Sequence, residues 1–252
     1  MIRHFYPFKR MLPGFYSRWV VLMVAASVVA MSVNETRAYE VVTVAGGGTL
    51  AGKIIYNGAV PTKKIIPGKD PEVCGGIRDV PQVMVGADKG VMQAVAYLKK
   101  VGSGKDWPAA DPPVTPVLDQ KKCEFAPHVQ VIRRGALDIL NSDPILHNTH
   151  GFYGKRTAFN LAMPNQGEKN TADLKRPGLV RIECDAHGWM LAWVHVADSP
   201  YYAVSGEDGM FTMTDIPPGE YTLVVWQEFT GTLEKPVVVK AGETTEMTIE
   251  LN

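Results

Sequence analysis

The stretch that decides the fold and the chemistry of this chain is Cys184-Asp185-Ala186-His187-Gly188-Trp189-Met190. Its spacing, Cys-X2-His-X2-Met, places a thiol, an imidazole and a thioether on one short loop. Sulfur and imidazole donors of this kind favour copper over metals that prefer oxygen ligands. A fourth donor must come from another part of the chain. The best candidate is His147, in the segment Leu146-His147-Asn148-Thr149-His150.

A strand is predicted immediately before this loop. Val180 and Ile182 alternate with Arg181 and Glu183, and a period of two places apolar residues on one face of a strand. Continuing the alternation places Cys184 on the same inward face. The thiol is therefore expected to point into a core, with the ligand loop at the end of the strand.

Residues 1–38 have the pattern of an export signal. Basic residues precede an apolar run from Trp19 to Val33, and the segment ends at Ala38, a small residue of the type that signal peptidase prefers. The apolar run is short for a membrane span, and a retained membrane anchor is the alternative. We expect a periplasmic or secreted protein of bacterial type, with no membrane span in its mature form.

Composition and length describe the remaining chain as β-rich and weakly acidic. It has 214 residues, with 21 Lys and Arg against 25 Asp and Glu, and so a formal charge of 4 negative. This slightly negative charge does not indicate a protein that binds nucleic acid, which would carry an excess of basic residues. Short runs rich in Val, Ile, Thr and Tyr, separated by Gly, Pro, Asn and Asp, predict an all-β fold. The length fits two β domains.

The number of cysteines predicts a disulfide. Three cysteines, Cys74, Cys123 and Cys184, leave one thiol over in an exported protein. If Cys184 binds a metal, the other two can pair. The oxidising compartment implied by the export signal favours such a bond, so a Cys74–Cys123 disulfide is predicted.

The histidines cluster in the second half of the chain. Five of the six lie at positions 128, 147, 150, 187 and 195, which is more typical of a metal site than of scattered surface residues. His150 is the alternative to His147 as a ligand. His128 and His150 are also candidates for an accessory metal site. The competing interpretation gives these histidines structural roles. His150 would be an ordinary polar loop residue, His128 would donate to a backbone carbonyl, and His195 would be a histidine on a strand.

Residues 115–198 resemble the cupredoxin (blue-copper) family, with an amicyanin-like ligand loop. Five features occur in that family's order: Phe125-X-Pro127, Gly135, Asn141 to Asp143, His147-Asn148 and the Cys184-X2-His187-X2-Met190 loop. The resemblance implies a cupredoxin Greek-key sandwich with His147, Cys184 and His187 as near-trigonal copper ligands and Met190 as a weak axial ligand. It also implies that Asn148 braces the cysteine loop by hydrogen bonding.

The flanks resemble a second family, the carboxypeptidase regulatory-like, transthyretin-like β-sandwich. The likeness rests on the opening Gly52 to Pro61, on Asp208-X-X-Phe211 and on Pro218-Gly219-X-Tyr221-X-Leu223. We expect a β segment at 39–101, a cupredoxin domain at 102–198 and a β segment at 199–252 that completes the first unit. Two separate small β units are the alternative.

Together these features predict an exported mononuclear copper protein that carries single electrons between redox partners. The predicted centre has two histidines, one cysteine and one methionine as ligands. The expected partner is a cytochrome or an oxidoreductase, and His187, at the exposed end of the loop, is the expected route for the electron. The sequence contains no visible set of general acid, base and nucleophile, so an enzyme is not expected. Periplasmic copper storage or delivery is the first alternative, and a metal-free adhesion or carbohydrate-binding module is the second.

Overall fold

The structure, a computed structural model, describes residues 39–108 and 114–252; the predicted export signal, residues 1–38, lies outside the described residues. The fold is all-β, as predicted from the sequence. The strands are β1 (Glu40–Val41), β2 (Gly48–Tyr56), β3 (Thr62–Ile65), β4 (Arg78–Pro81), β5 (Val95–Lys99), β6 (Ser103–Gly104), β7 (Val117–Lys121), β8 (Glu124–Ala126), β9 (Val129–Arg133), β10 (Gly135–Asn141), β11 (His147–Tyr153), β12 (Arg156–Met163), β13 (Glu168–Leu174), β14 (Gly178–Glu183), β15 (Leu191–Ala197), β16 (Tyr202–Val204), β17 (Met210–Ile216), β18 (Gly219–Gln227), β19 (Gly231–Val239) and β20 (Thr244–Leu251). The helical segments are α1 (Pro71–Cys74) and a 3-10 turn (Ala87–Lys89). Within the described ranges, neither has the length and apolar character that crossing a membrane requires.

Strands β7 to β15 form two sheets, which we call the central sandwich. One sheet has the order β12-β11-β14-β15-β9 and the other the order β13-β10-β7-β8. The pairs β15–β9 and β10–β7 are parallel, and the other pairs are antiparallel. A single apolar core, which includes Leu118, Ile139 and Val194, fills the space between the sheets.

The register of β11 and β14 positions the ligand loop. Val180 and Ile182 are fully buried and Arg181 is not, because side chains alternate between the two faces of a strand. His150 pairs with Glu183 in the antiparallel ladder. The start of β11, at His147, therefore lies beside the residues that follow β14, and this brings the two predicted ligand segments to one end of the sheet.

The remaining long strands form a second pair of sheets, which we call the flanking sandwich. One sheet has the order β16-β5-β18-β19 and the other the order β17-β2-β20. Strands from before and after the central sandwich are therefore direct neighbours: β5 pairs with β18, and β2 lies between β17 and β20. A separate apolar core, which includes Leu50, Ile54 and Val225, fills this sandwich.

Strands β3 and β4 pair in a separate two-stranded sheet, and a short segment connects them. We call residues 66–77 the strap. It contains α1, which begins at Pro71, a residue suited to the first helical position because it has no N–H to leave unpaired. Cys74 at the end of α1 forms a disulfide with Cys123 in the turn between β7 and β8. The strap is thereby attached to the central sandwich.

Candidate metal centre

Three of the predicted ligands converge in the interior of the central sandwich. The Nδ1 atoms of His147 and His187 lie 3.0 Å apart. The Sγ atom of Cys184 lies 3.9 Å from Nδ1 of His147 and 3.7 Å from Nδ1 of His187. All three side chains are buried, with at most 1% of their surface exposed. Ligands about 2.0–2.3 Å from a shared ion stand roughly 3.3–3.8 Å apart at tetrahedral to trigonal angles. The Sγ distance to His187 lies in that range, and the other two distances differ from it by 0.1–0.3 Å, so small side-chain shifts would let one ion bind all three donors.

The hydrogen bonds on the outer side of both rings determine which nitrogens face inward without a proton. Nε2 of His147 lies 2.9 Å from a carboxylate oxygen of Asp143, and Nε2 of His187 lies 3.0 Å from one of Asp70. An ionised carboxylate only accepts hydrogen bonds, so each Nε2 carries the hydrogen. In a neutral ring Nδ1 then has a free lone pair. Two lone pairs and a sulfur therefore face one another in a buried interior, an arrangement that a bound cation would stabilise.

Asp143 holds His147 from within the same sandwich. Its carboxylate is buried and also accepts hydrogen bonds from the backbone N–H groups of Lys122 and Cys123, at 2.7 and 2.8 Å. Burial lowers the pKa of His147 below its ordinary value and outweighs the opposing effect of Asp143. The ring is therefore neutral near pH 7, which is the form that binds a metal.

The strap holds His187 from outside the central sandwich. Asp70 precedes α1 in a left-handed conformation (φ 49°), and its carboxylate makes no cap hydrogen bond to that helix. The carboxylate instead accepts from Nε2 of His187, a residue 117 positions away. Because His187 is only 1% exposed, the expectation of an exposed imidazole edge is wrong. The cause is the strap, which covers that edge.

Asn148 braces the cysteine loop. Its side-chain oxygen accepts from the backbone N–H groups of Asp185 and Ala186, at 2.6 and 3.3 Å. Its own backbone N–H lies 3.5 Å from Sγ of Cys184 and is directed at the sulfur. These contacts connect the start of β11 to the loop after β14, so the two ligand segments keep a fixed separation.

Met190 closes the loop and is buried in the same core as Cys184. Its backbone N–H donates to the carbonyl of His187 at 2.9 Å, which makes the segment a tight turn. The side chain is 2% exposed. The interior position suits the predicted role of an axial thioether, which stays a prediction.

The Cys74–Cys123 disulfide lies against the candidate centre. Both sulfur atoms and a ring nitrogen of His187 lie within 4.8 Å of one another. A donor atom each from Cys123, Asp143 and His147 forms a similar group. The cysteine count predicts the bond, but nothing in the sequence indicates that it lies next to both histidines.

His128 and His150 have hydrogen-bond partners outside the candidate centre. His128 bonds the carbonyl of Leu191 and the carboxylate of Glu228, and His150 bonds Asp185 and Thr157. Neither belongs to the groups of three potential metal donors found in the described part of the chain. An accessory metal site at these two residues stays a prediction without geometric support.

His128 instead connects the two sandwiches. Burial lowers the pKa of its ring, but the hydrogen bond and the charge of Glu228 raise it, with a net increase. The same carboxylate accepts from Nε1 of Trp193 at 2.8 Å, and Trp193 packs on Trp226 of β18. These residues fix the orientation of the β15 strand that follows the ligand loop.

Comparison with known proteins gives matches to parts of the chain. A family model described as polysaccharide lyase family 4, domain II, matches residues 181–247, from β14 to β20. No curated protein matches the chain. A Cu-containing nitrite reductase from Thermus scotoductus SA-01 is similar at 18% identity over 34% of this chain and 23% of that chain, with a TM-score of 0.30; this chain thus spans about a quarter of that enzyme's length.

Two smaller solved structures are also similar to part of the chain. A purple cupredoxin from Nitrosopumilus maritimus is 16% identical over 32% of this chain and 99% of that chain, with a TM-score of 0.28. Amicyanin from Paracoccus versutus is 19% identical over 36% of this chain and 86% of that chain, with a TM-score of 0.30.

Proposed function

We propose that His147, Cys184 and His187, with Met190 as a weak axial ligand, hold a single copper ion, and that the protein carries one electron at a time between redox partners. The observation that supports this most directly is the pair of Nδ1 atoms 3.0 Å apart, with the sulfur of Cys184 at 3.7–3.9 Å. Copper bound there would supply a one-electron Cu(II)/Cu(I) couple.

The donor set favours copper over zinc. Thiolate and thioether are soft ligands that suit Cu(I), and two imidazoles with one thiolate are the donors of blue-copper electron-transfer sites. A structural zinc site takes four firm ligands in a tetrahedron. Here the fourth candidate is Met190, and a thioether is a poor ligand for zinc.

The surroundings favour electron transfer over catalysis. Asp143 and Asp70 fix the two rings, and Asn148 fixes the loop that carries Cys184. Donors held in this way keep one geometry in both oxidation states, so little reorganisation accompanies each transfer. We infer that the protein is not an enzyme in its own right, because Met190 would fill the axial position that a catalytic copper centre keeps open for its substrate.

The proposed setting is the periplasm or the cell exterior, reached through the export signal at residues 1–38. A cytochrome or an oxidoreductase is the proposed redox partner. Because the strap covers the edge of His187, this partner would approach over the strap and not at a bare imidazole. Copper storage or delivery is the competing proposal for the same residues.

Reconstitution with copper tests the proposal. The protein loaded with Cu(II) should show a strong thiolate-to-copper absorption near about 600 nm, the expectation for a centre with two imidazoles and one thiolate, with the matching electron paramagnetic resonance signal. Cys184→Ala and His147→Ala should remove the band. His195→Ala, a change at a buried histidine outside the cluster, should keep it.

Other outcomes separate the alternatives. A colourless protein that retains only Cu(I) and cannot be oxidised would favour storage or delivery. An adhesion or carbohydrate-binding module would work without metal. If the metal-free Cys184→Ser protein binds a carbohydrate or a surface as well as the unmodified protein does, that function is favoured and the copper proposal is overturned.

A further inference from the structure

The disulfide beside His187 consists of two potential soft ligands that the proposed copper centre does not use. Sγ of Cys74, Sγ of Cys123 and a ring nitrogen of His187 all lie within 4.8 Å of one another. The two cysteines are 4% and 0% exposed and His187 is 1% exposed. In the disulfide the sulfurs are bonded to each other. As thiolates they would complete a buried set of two sulfurs and one imidazole.

Contacts other than the disulfide hold the strap in place. The guanidinium of Arg78 donates to the carbonyl of Cys74 at 3.2 Å and to the carboxylate of Glu124, next to Cys123, at 2.9 Å. The backbone N–H of Cys74 donates to the carbonyl of Asp70 at 2.9 Å, so the residue that bonds His187 and the residue that carries the sulfur share one turn. Cys74 would therefore stay close to His187 after the S–S bond is opened.

The other sulfur is held independently. The backbone N–H of Cys123 donates to the buried carboxylate of Asp143, which also bonds His147. Contacts within the central sandwich therefore hold Cys123 in position independently of the strap. Both cysteines have anchors that do not depend on their mutual bond, which is the condition for a preformed dithiol.

We propose that reduction of the Cys74–Cys123 disulfide creates a second metal site, in which Cys74, Cys123 and His187 bind Cu(I). A dithiol reductant of the thioredoxin class would transfer two electrons and two protons, forming two cysteine thiols and its own disulfide. Binding of the ion then releases the thiol protons, because thiolates are the ligands. Soft thiolates select Cu(I) over harder ions. The site goes beyond the proposed function, since it does not need Cys184.

The test uses the Cys184→Ala protein, which lacks the proposed copper centre and keeps the dithiol. The disulfide is opened with a phosphine, which becomes a phosphine oxide with oxygen from water and leaves no thiol in solution. Cu(I) is then shared with a chromophoric chelator of the bathocuproine type. The reduced protein should take one equivalent of Cu(I), about tenfold or more tighter than the oxidised protein, because two thiolates have become available.

Matched variants identify the ligands. In the same background, Cys74→Ser or Cys123→Ser should reduce the affinity of the reduced protein to near that of the oxidised one. His187→Ala should weaken binding by about tenfold, the lower range for loss of a group at a metal site, and His195→Ala should not.

The proposal is overturned if reduced and oxidised Cys184→Ala protein compete equally for Cu(I). It is also overturned if reduction abolishes the β-sheet circular dichroism, because the site requires the strap in place. Neither result affects the proposed copper centre, which is read from the colour of the unmodified protein.

Discussion

The contact between Asp70 and His187 makes a prediction about the reduction potential. Removing the carboxylate removes the acceptor for Nε2–H of His187. A carboxylate on the outer nitrogen of a metal-binding histidine fixes the ring orientation and raises its basicity. A more basic ligand stabilises Cu(II) more than Cu(I), because the doubly charged ion polarises its ligands more strongly. Loss of the carboxylate should therefore raise the reduction potential.

Two substitutions suit the backbone at this position. Asp70 has φ 49°, a left-handed conformation that glycine adopts without strain and that asparagine tolerates well. Asp70→Gly removes the acceptor, and Asp70→Asn leaves a neutral one. The side chain is 37% exposed, so solvent screens the bare charge, and the hydrogen bond is the interaction under test.

The magnitude follows from the metal affinity. Loss of such a partner costs about 10–100-fold in metal affinity. If Cu(II) binding alone is affected, about 59 mV per tenfold for one electron gives a rise of roughly 60–120 mV for Asp70→Gly. Asp70→Asn should give about half of that, since a charge-assisted hydrogen bond is roughly twice as strong as a neutral one.

Redox titration followed by the thiolate-to-copper absorption measures the shift. Glu72→Gln is the matched control: it removes the same charge from an exposed residue in α1, the helix that Asp70 precedes, and its potential should stay within about 10 mV of the unmodified protein, as expected for a screened surface charge. An unchanged or lowered potential in Asp70→Gly, with copper still bound, would refute the role assigned to Asp70.

Three further predictions follow from the fold and the centre. Asn148→Ala should lower Cu(II) affinity about 10–100-fold by freeing the cysteine loop, which competition with a Cu(II) chelator measures; unchanged affinity would exclude the bracing role. Burial lowers the pKa of His195 to about 4, so the stabilisation from its neutral form is fully present above about pH 6.5 and lost as the pH falls towards 4, by about 3 kcal/mol. Urea unfolding of His195→Gln should show a correspondingly flatter dependence on pH over that window, and a parallel profile would contradict this. After limited proteolysis, residues 199–252 should not remain folded once separated from 39–101, because β2 and β5 supply their neighbouring strands; a stable isolated fragment would favour two separate units.

Local pattern was enough to predict strand β14 and the tight loop that follows it. The alternation around Val180 and Ile182 gives the inward face of β14, and both are fully buried. The Cys-X2-His-X2-Met spacing predicts a tight turn, and the Met190 N–H bond to the His187 carbonyl closes it. These features depend on residues close together in the chain, for which the periodicity of the backbone is a sufficient guide.

The environment of the centre could not be predicted in the same way. Asp70 lies in a lysine-containing segment that reads as a solvated loop, and its contact with His187 spans 117 residues. Only the tertiary arrangement places the strap over that ring. The contact of Asp143 with His147 is more local, since the polar stretch Asn141 to Asp143 precedes His147 by a few residues. Sequence alone still does not show which of these side chains reaches the imidazole.

The strap also bears on the choice between electron transfer and copper delivery. A protein that delivers copper must release its ion, whereas an electron carrier must keep it. His187 is covered by Asp70 and by a disulfide that attaches the strap to the turn beside Cys123. With the disulfide formed, release of a bound ion would require the strap to move away from the ring against a covalent bond, so the oxidised protein is suited to keeping such an ion. Opening the same bond removes the covalent part of this attachment and gives two thiolates that compete for the ion, while the contacts of Arg78 and Asp70 keep the strap in place. On this reasoning the redox state of one cysteine pair would decide between retention and release of the ion. The Cu(I) competition experiment tests the Cu(I)-binding dithiol, and the colour of the copper-loaded unmodified protein tests the electron carrier.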